Sequence, residues 1–358
     1  MDSLAQTLIF LILIFSLFNF FTLRSLSTRP TSVSGSVAIL IPMRNEERNV
    51  TEVVNSALSQ RSIPELSVRV LNDSSTDQTL AILRSFSDAR LEVVGGSELP
   101  SGWLGKNFAL HTLASQSREE YLVFVDADVR LEPSATASAI SLMNEKNWDY
   151  ISPYPRQIAT GLLAKLVQPL LQWTWIASLP LRLIEDSKNT STAVANGQFF
   201  IVKNASYRKA GGHAGIKGEV LDDLELARSL RRAGSRGSVV DGSELASCEM
   251  YGSAKELIEG YSKSQWRAFG NAFGAILVIF LLALTSIYPF VIALSGQSWA
   301  IYSVMALLLS RTLAAIKTRS VLSTTLLHPV AISIWVYLIV RSLYLKKRKR
   351  LLWRARYI

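Results

Sequence analysis

Phe124-Val125-Asp126-Ala127-Asp128-Val129 closes an apolar run, Tyr121 to Val125, on two carboxylates spaced two residues apart. The run is short and rich in β-branched and aromatic residues, the content of a buried strand. Upstream, Ile39-Leu40-Ile41-Pro42-Met43-Arg44-Asn45-Glu46-Glu47 stops in the same way, apolar first and then polar and acidic. Parallel strands buried on both faces deliver side chains to a ligand crevice at their carboxyl ends. Two carboxylates at such an end can hold a divalent cation against a diphosphate. The pair therefore points to an enzyme that works on a nucleotide-activated substrate.

The alternation continues on both sides of these stretches. Val37 to Ile41 reads as a strand, Glu46 to Gln60 as a helix, and Leu66 to Leu71 as a strand ending at Asn72-Asp73-Ser74-Ser75-Thr76-Asp77. A helix over Gln78 to Ser87, a strand over Leu91 to Val94 and a helix over Lys106 to Gln116 follow. Strands and helices in turn predict an α/β domain with a mainly parallel sheet. Neither GxGxxG nor GxxxxGK[ST] is present, so a dinucleotide-binding Rossmann site and a P-loop are both unsupported.

A chain of 358 residues accommodates one catalytic domain of ordinary size with additions. Hydrophobic residues make up 49% although 18% are charged, and 38 Lys and Arg against 28 Asp and Glu leave a formal charge of +10. Many of the cations border apolar stretches or crowd the C-terminal end. That favours anionic lipid head groups over nucleic acid as the partner. No homeodomain, zinc-finger, RRM or KH pattern appears, and no nucleic-acid role is expected. Cys248 is the single cysteine, which rules out an intramolecular disulfide and a CxxC metal site.

Leu4 to Leu23 is almost continuously apolar and long enough to span a bilayer. No basic residue precedes it and no small-residue cleavage site follows, so residues 1–23 read as a transmembrane helix and not as a cleaved signal. Arg24 and Arg29 come next and place the region 24–270 in the cytosol. Ala272 to Leu294 and Val321 to Leu345 are further spans in a C-terminal membrane region, 271–345. The tail, 346–358, opens with Lys346-Lys347-Arg348-Lys349-Arg350, a cytosolic marker. Three full crossings in that region would carry the basic run outside. Trp299 to Ala315, the shorter segment, is therefore expected to be re-entrant or interfacial; the alternative is that the N-terminal segment does not cross fully. Gly161 to Ile184 mixes leucines with Lys165, Gln168, Pro169, Gln172, Pro180 and Arg182, and reads either as an interfacial helix or as a helix of the soluble core. If it crossed, Asp128 and Asp222-Asp223 would stand on opposite sides of the bilayer. The whole describes a multi-pass protein of the plasma membrane.

Each polar motif has an ordinary reading beside a chemical one. Two solvated acids in a loop would account for Asp126 and Asp128, but other strand ends turn polar in the same way, which favours a hard-cation site. Asp77 or Thr76 caps the helix at Gln78, while Asp73, directly at its strand end, can accept hydrogen bonds from a base or ribose. Lys106 follows Gly102-Trp103-Leu104-Gly105 at a helix start, where the dipole disfavours a cation. A docking anion would change that; a solvated lysine is the alternative. In Glu219-Val220-Leu221-Asp222-Asp223-Leu224, the acids either stabilise a helix N-terminus or supply a general base for a hydroxyl acceptor. His213, in Gly211-Gly212-His213, has a supporting role at most.

Taken in order, the stretches at 41–47, 72–77, 102–106 and 124–128, with Tyr207 through Gly211-Gly212-His213, resemble the family 2 glycosyltransferases. The similarity is closest to the membrane-bound branch that glycosylates lipids, in particular carotenoid acids as in staphyloxanthin synthesis, and more distantly ceramides and hopanoids. Asp222-Asp223 stands where the family usually has Glu-Asp, and Trp353-Arg354-Ala355-Arg356-Tyr357 is similar to a Trp-Lys-Gly-Arg ending of that branch. The resemblance implies a GT-A fold, a nucleotide-diphosphate-sugar donor such as UDP-glucose, a carotenoid or terpenoid lipid acceptor, and Mg²⁺ or Mn²⁺. Ceramide, hopanoid and polyprenyl-phosphate acceptors are the alternatives.

The resemblance assigns Pro42, Glu46, Asp73 and Lys106 to the nucleotide pocket, Asp126 to nucleotide and metal, Asp128 to metal, and Asp223 to the catalytic base. Asp222, Gln198, His213, Lys263 and Trp266 fall to the acceptor or diphosphate side. Many relatives carry QxxRW; here Ser262-Lys263-Ser264-Gln265-Trp266 keeps only the tryptophan, and Lys263 or Arg267 is expected to replace the arginine. The implied reaction is a single displacement with inversion. Two other classes stand beside it. A nucleotidyltransferase would carry a glycine-rich triphosphate loop, which is missing. A membrane scaffold with a dead domain is at odds with the intact acidic set.

Overall fold

The computed structural model describes residues 1–348, 352–353 and 356–357. The chain divides into two compact units: Arg24–Arg156 with Leu183–Cys248, and Met1–Leu23 with Gln157–Arg182 and Glu249–Ile358. Lys349 and Arg350 of the basic run, and the side chains of the Trp353–Tyr357 ending, lie outside the described residues; only the pairing of Leu352–Trp353 with Arg356–Tyr357 is described there.

The strands in chain order are β1 (Val37–Met43), β2 (Leu66–Asn72), β3 (Leu91–Gly95), β4 (Tyr121–Val125), β5 (Val129–Leu131), β6 (Tyr150–Tyr154), β7 (Arg156–Gln157), β8 (Phe199–Lys203), β9 (Gly237–Asp241) and β10 (Ala246–Cys248). Among the described residues the first unit holds a seven-stranded sheet in the order β3-β2-β1-β4-β8-β6-β9. β3, β2, β1 and β4 are parallel, as are β6 and β9, while β8 runs antiparallel to both β4 and β6. This is the expected α/β architecture with a mainly parallel sheet. Every residue of β4 is buried, and six of the seven in β1, so both read as unbroken apolar runs. Leu40, Leu122, Phe124 and Phe200 pack there with Leu110 and Leu113 of the helix Gly105–Gln116.

Pro42 sits inside β1 without breaking it. The Val37 N–H and the Met43 carbonyl bond toward the β2 side, so by alternation position 42 faces β4. The β4 register stops at Leu40–Phe124. The donor that proline lacks therefore falls where β1 and β4 have parted, and no ladder bond is lost. That parting opens the carboxyl ends of β1, β2 and β4 for the loops that carry the polar motifs.

The second unit is helical. Four of its segments are long and apolar enough to cross a membrane: Asp2–Thr22, Ala272–Ala293, Ser298–Lys317 and Thr325–Lys347. The segment expected to be re-entrant or interfacial, Trp299 to Ala315, lies in an unbroken 20-residue helix, Ser298–Lys317. The Gly161–Ile184 stretch forms the helix Leu162–Ser178, whose Leu166, Val167, Leu170, Trp173 and Ile176 are buried in the core of this helical unit. Pro169 leaves the Lys165 carbonyl without its helical donor, and the Thr324 hydroxyl fills that place at 2.7 Å. At the helix end Asn19 donates to the carbonyls of Ile176 (2.7 Å) and Leu179 (2.6 Å) and accepts from the Leu181 N–H at 3.0 Å. One buried amide thus serves the unpaired groups of a helix terminus.

Candidate active site

The loops after β1 and β2 are stitched together by polar groups. Asn45 and Ser74 adopt left-handed backbone, φ 54° and 50°. Asn45 Oδ1 accepts the Thr76 N–H at 2.8 Å, the Asn45 N–H donates to Ser75 Oγ at 3.0 Å, and the Glu46 N–H donates to Thr79 Oγ1 at 2.9 Å. Asp77 takes the capping role, accepting the Thr79 N–H at 3.0 Å and the Glu47 N–H at 3.1 Å. Burial opposes its ionisation, but these bonds and the Thr79 hydroxyl outweigh it and lower its pKa. Asp73 Oδ2 lies 3.4 Å from Arg44 Nη1, which also donates to the Asp73 carbonyl at 3.2 Å.

The acidic residues converge on Lys106. Its Nζ lies 2.8 and 3.0 Å from the two oxygens of Asp126 and 3.3 Å from Asp222 Oδ2. Burial works against the ammonium, yet Asp126, Asp222 and Asp223 together hold its pKa above that of an ordinary lysine. The start of its helix is fixed by Asn107, whose Nδ2 donates to the carbonyls of Ile216 (2.9 Å), Lys217 (3.2 Å) and Glu219 (3.0 Å). Asp223 accepts the Gly197 N–H at 2.9 Å on one oxygen and the Leu224 N–H at 2.7 Å on the other. Its pKa is pushed up to about 6, first by burial and then by Asp222, with Lys106 and the two N–H groups pulling the other way. Asp128 rises to about 7, by burial, then by Asp126 and Glu46.

Residues 38–211 match the model of Glycosyl transferase family 2. The match covers just under half of the chain. Among curated proteins the chain is similar to 4,4'-diaponeurosporenoate glycosyltransferases. It is 26% identical to that of Staphylococcus haemolyticus over 66% of this chain and 62% of the relative, so it spans under two thirds of that protein's length. It is 25% identical to that of Staphylococcus aureus (strain USA300) over 77% of this chain and 74% of the relative. Among solved structures the mannosyltransferase PcManGT from Pyrobaculum calidifontis, in complex with GDP-Man and Mn²⁺, shares the fold. It has a TM-score of 0.53 at 17% identity over 98% of each chain.

One buried oxygen of the site is suited to a hard cation. Asp128 Oδ1 is buried and has no hydrogen-bond partner among the described residues. No group of three or more His, Cys, Asp or Glu side chains among the described residues is arranged to hold a metal. A cation here would therefore draw most of its ligands from diphosphate and water, the habit of Mg²⁺ beside one or two carboxylates. Asp128 also takes a hydrogen bond from the Cys248 thiol, which stays neutral because burial and then Asp128 and Asp126 push its pKa up.

The first unit thus brings Lys106, Asp126, Asp128, Asp222 and Asp223 together at the carboxyl end of β4. Gln198 joins them through the backbone, its carbonyl accepting the Asp126 N–H at 3.0 Å, while its amide donates to Cys248 Sγ at 2.9 Å. His213 is 2% exposed, with Nδ1 bonded to the Tyr207 hydroxyl at 2.8 Å and its ring edge-on to Phe124. Burial lowers its pKa to about 4. Lys263 and Trp266 lie in the helical unit on Ala254–Ala268. There the Trp266 Nε1 donates to the Lys263 carbonyl at 3.0 Å and Lys346 Nζ sits 4.1 Å from its ring. Two site residues escaped the sequence reading, Gly197 and Cys248. A Cβ on Gly197 would stand 3.1 Å from Asp223 Cβ and 3.6 Å from Lys106 Nζ. The Asn196-Gly197 pair before a strand was its only signal; Cys248 had none.

Proposed function

We propose that the protein transfers a hexose from a uridine-diphosphate sugar to a hydroxyl or carboxyl of a carotenoid or terpenoid lipid at the membrane, with inversion at the anomeric carbon. The observation that carries the reading is the Asp223 carboxylate, buried, fixed by the Gly197 and Leu224 N–H groups and raised to about 6. A base in that range is ionised at neutral pH yet basic enough to take a proton from a hydroxyl in the transition state. The names of the staphylococcal relatives support a carotenoid-acid acceptor, and the apolar helices support a membrane setting.

In this mechanism the acceptor oxygen forms its bond to the anomeric carbon as the carbon–phosphate oxygen bond breaks and UDP leaves with the electron pair. Asp223 takes the acceptor proton. Lys106 faces the diphosphate and offsets its charge, while Asp222 keeps the ammonium in place. Pro42, Glu46, Asp73 and Asp126 line the nucleotide, and His213, bonded to Tyr207 and packed on Phe124, has a supporting role. Asp128, with its unpaired Oδ1, and Asp126 would hold Mg²⁺ or Mn²⁺. A divalent cation there supplies charge neutralisation for the leaving diphosphate.

The test is transfer by the purified full-length protein from UDP-glucose, UDP-galactose and UDP-N-acetylglucosamine to a carotenoid acid, with products analysed by mass spectrometry and anomeric NMR. A β-linked product from an α-linked donor is expected. No transfer from any of the three, or a product that retains the donor configuration, overturns the reading.

A further inference from the structure

The helical unit buries polar side chains that its own residues leave unpaired. Arg311 is 3% exposed and His328 is fully buried. Arg311 Nε and both ring nitrogens of His328 have no hydrogen-bond partner among the described residues. Both side chains lie against Trp173: the guanidinium carbon is 5.8 Å from its ring centroid and the imidazole 4.9 Å, edge-on. Trp173 is itself fixed, with Nε1 donating to Ser310 Oγ at 2.8 Å and Ser310 meeting Ser16 Oγ at 2.7 Å. On the same helix as Trp173, Gln168 and Gln172 are each 1% exposed, and their amide atoms also lack partners among the described residues.

Burying a guanidinium costs far more than a cation–π contact returns. Ionisable groups inside a membrane-type helical unit are kept where a counter-charge or a function meets them. The donors gathered here select the partner. A guanidinium offers paired N–H groups to the two oxygens of a carboxylate or phosphate, and a neutral imidazole adds one more donor. The surrounding core, with Leu307, Ile332, Trp335 and Leu338, is apolar.

We propose that Arg311, His328 and Trp173 form a binding site for the oxyanion head of a long-chain lipid, whose apolar chain lies among the helices of this unit. Two sources share that chemistry, an acidic glycosyl acceptor and an anionic phospholipid. Only the first source rests on the proposed function; the site itself does not.

The test uses full-length protein in neutral detergent without sugar nucleotide, so its outcome is independent of whether transfer occurs. Binding of oleate, methyl oleate, phosphatidylglycerol and phosphatidylcholine is followed by native mass spectrometry and thermal shift. The wild type should bind oleate or phosphatidylglycerol and discriminate against methyl oleate and phosphatidylcholine. Arg311→Met should weaken that binding by about 10- to 100-fold, the worth of one lost charged hydrogen-bonding group. Arg311→Gln serves the same purpose should the methionine variant fail to fold, and His328→Phe, which keeps the packing on Trp173, should weaken binding less. A response to oleate alone marks an acidic acceptor, and one to phosphatidylglycerol alone marks a phospholipid. Equal binding by wild type and the Arg311 variants, or no preference for the charged heads, overturns the proposal.

Discussion

In the proposed reaction Asp223 sets the expected pH behaviour. Burial and the neighbouring Asp222 raise its carboxyl to about 6, and a general base works only when ionised. Turnover should therefore fall as pH drops through about 6 and level off above it; a rate profile flat from pH 5 to 8 would count against the assignment. Asp223→Asn should keep nucleotide affinity and lose about 10²–10⁴-fold in turnover with a hydroxyl acceptor. A carboxylic acid acceptor, with a pKa of about 4 to 5, is already ionised at neutral pH and leaves the base little to remove. The loss for Asp223→Asn should then shrink, so the same variant assayed with an alcohol and with an acid distinguishes the two acceptor types. Gly197→Ala tests the geometry without touching the charge. Its Cβ would press on Asp223 Cβ from 3.1 Å, and turnover should drop while UDP binding, measured by calorimetry, stays near wild type. At Asp128 the unpaired oxygen and the pKa of about 7 make cation binding compete with a proton. Half-activation by Mn²⁺ should need more metal at pH 6 than at pH 8, and Asp128→Asn should abolish the metal response.

At the scale of elements, the sequence carried the sheet well and the site in part. β1, β2 and β4 were legible because strands buried on both faces must be apolar throughout, and their ends show as sudden polarity. The helix after β1 was expected from Glu46 but begins at Val50, because Asn45, Glu46 and Glu47 are spent on bonds to the β2 loop. Lys106 was placed correctly at a helix start, but its partners, Asp126 and Asp222, come from elements 20 and 116 residues away, a distance no local pattern reveals. Gly197 and Cys248 were hidden for the same reason, as each acts through a side chain from a distant segment. The helix Leu162–Ser178 was ambiguous because the groups that meet its polar positions come from distant segments, which its own sequence does not show. Thr324 on the Lys165 carbonyl is the clearest case. Thr324→Val keeps the shape and removes the donor, and should lower the stability of the helical unit by about 1 kcal/mol. Thermal unfolding in detergent would show this as a lower midpoint, and an unchanged midpoint would mean that Pro169 costs the helix nothing that Thr324 repairs.

At the scale of the whole molecule, charge and span count pull in different directions. Arg24 and Arg29 follow the first apolar helix, and Lys346 and Lys347 end the last, with Arg348 after them; both sets favour the cytosolic face. An even number of crossings between them is required, yet three candidate helices lie there: Ala272–Ala293, Ser298–Lys317 and Thr325–Lys347. Ser298–Lys317 has the lowest mean hydropathy of the four candidates and the largest share covered by the rest of the unit. It also holds Arg311 and the bonded Ser310 in its interior. Of the three, it is the helix least suited to face lipid along its length, and it is the one expected not to make a full crossing. In a Cys248→Ser background, Arg118→Cys and Lys347→Cys should then both resist an impermeant thiol reagent applied to intact cells and both react after lysis. Labelling of Lys347→Cys alone from outside would mean that all three helices cross and that the basic run is held against its charge preference. Labelling of Arg118→Cys from outside would overturn the expected cytosolic placement of the sheet-bearing unit. Since nucleotide sugars are made in the cytosol, that outcome would also remove the donor supply on which the proposed reaction depends.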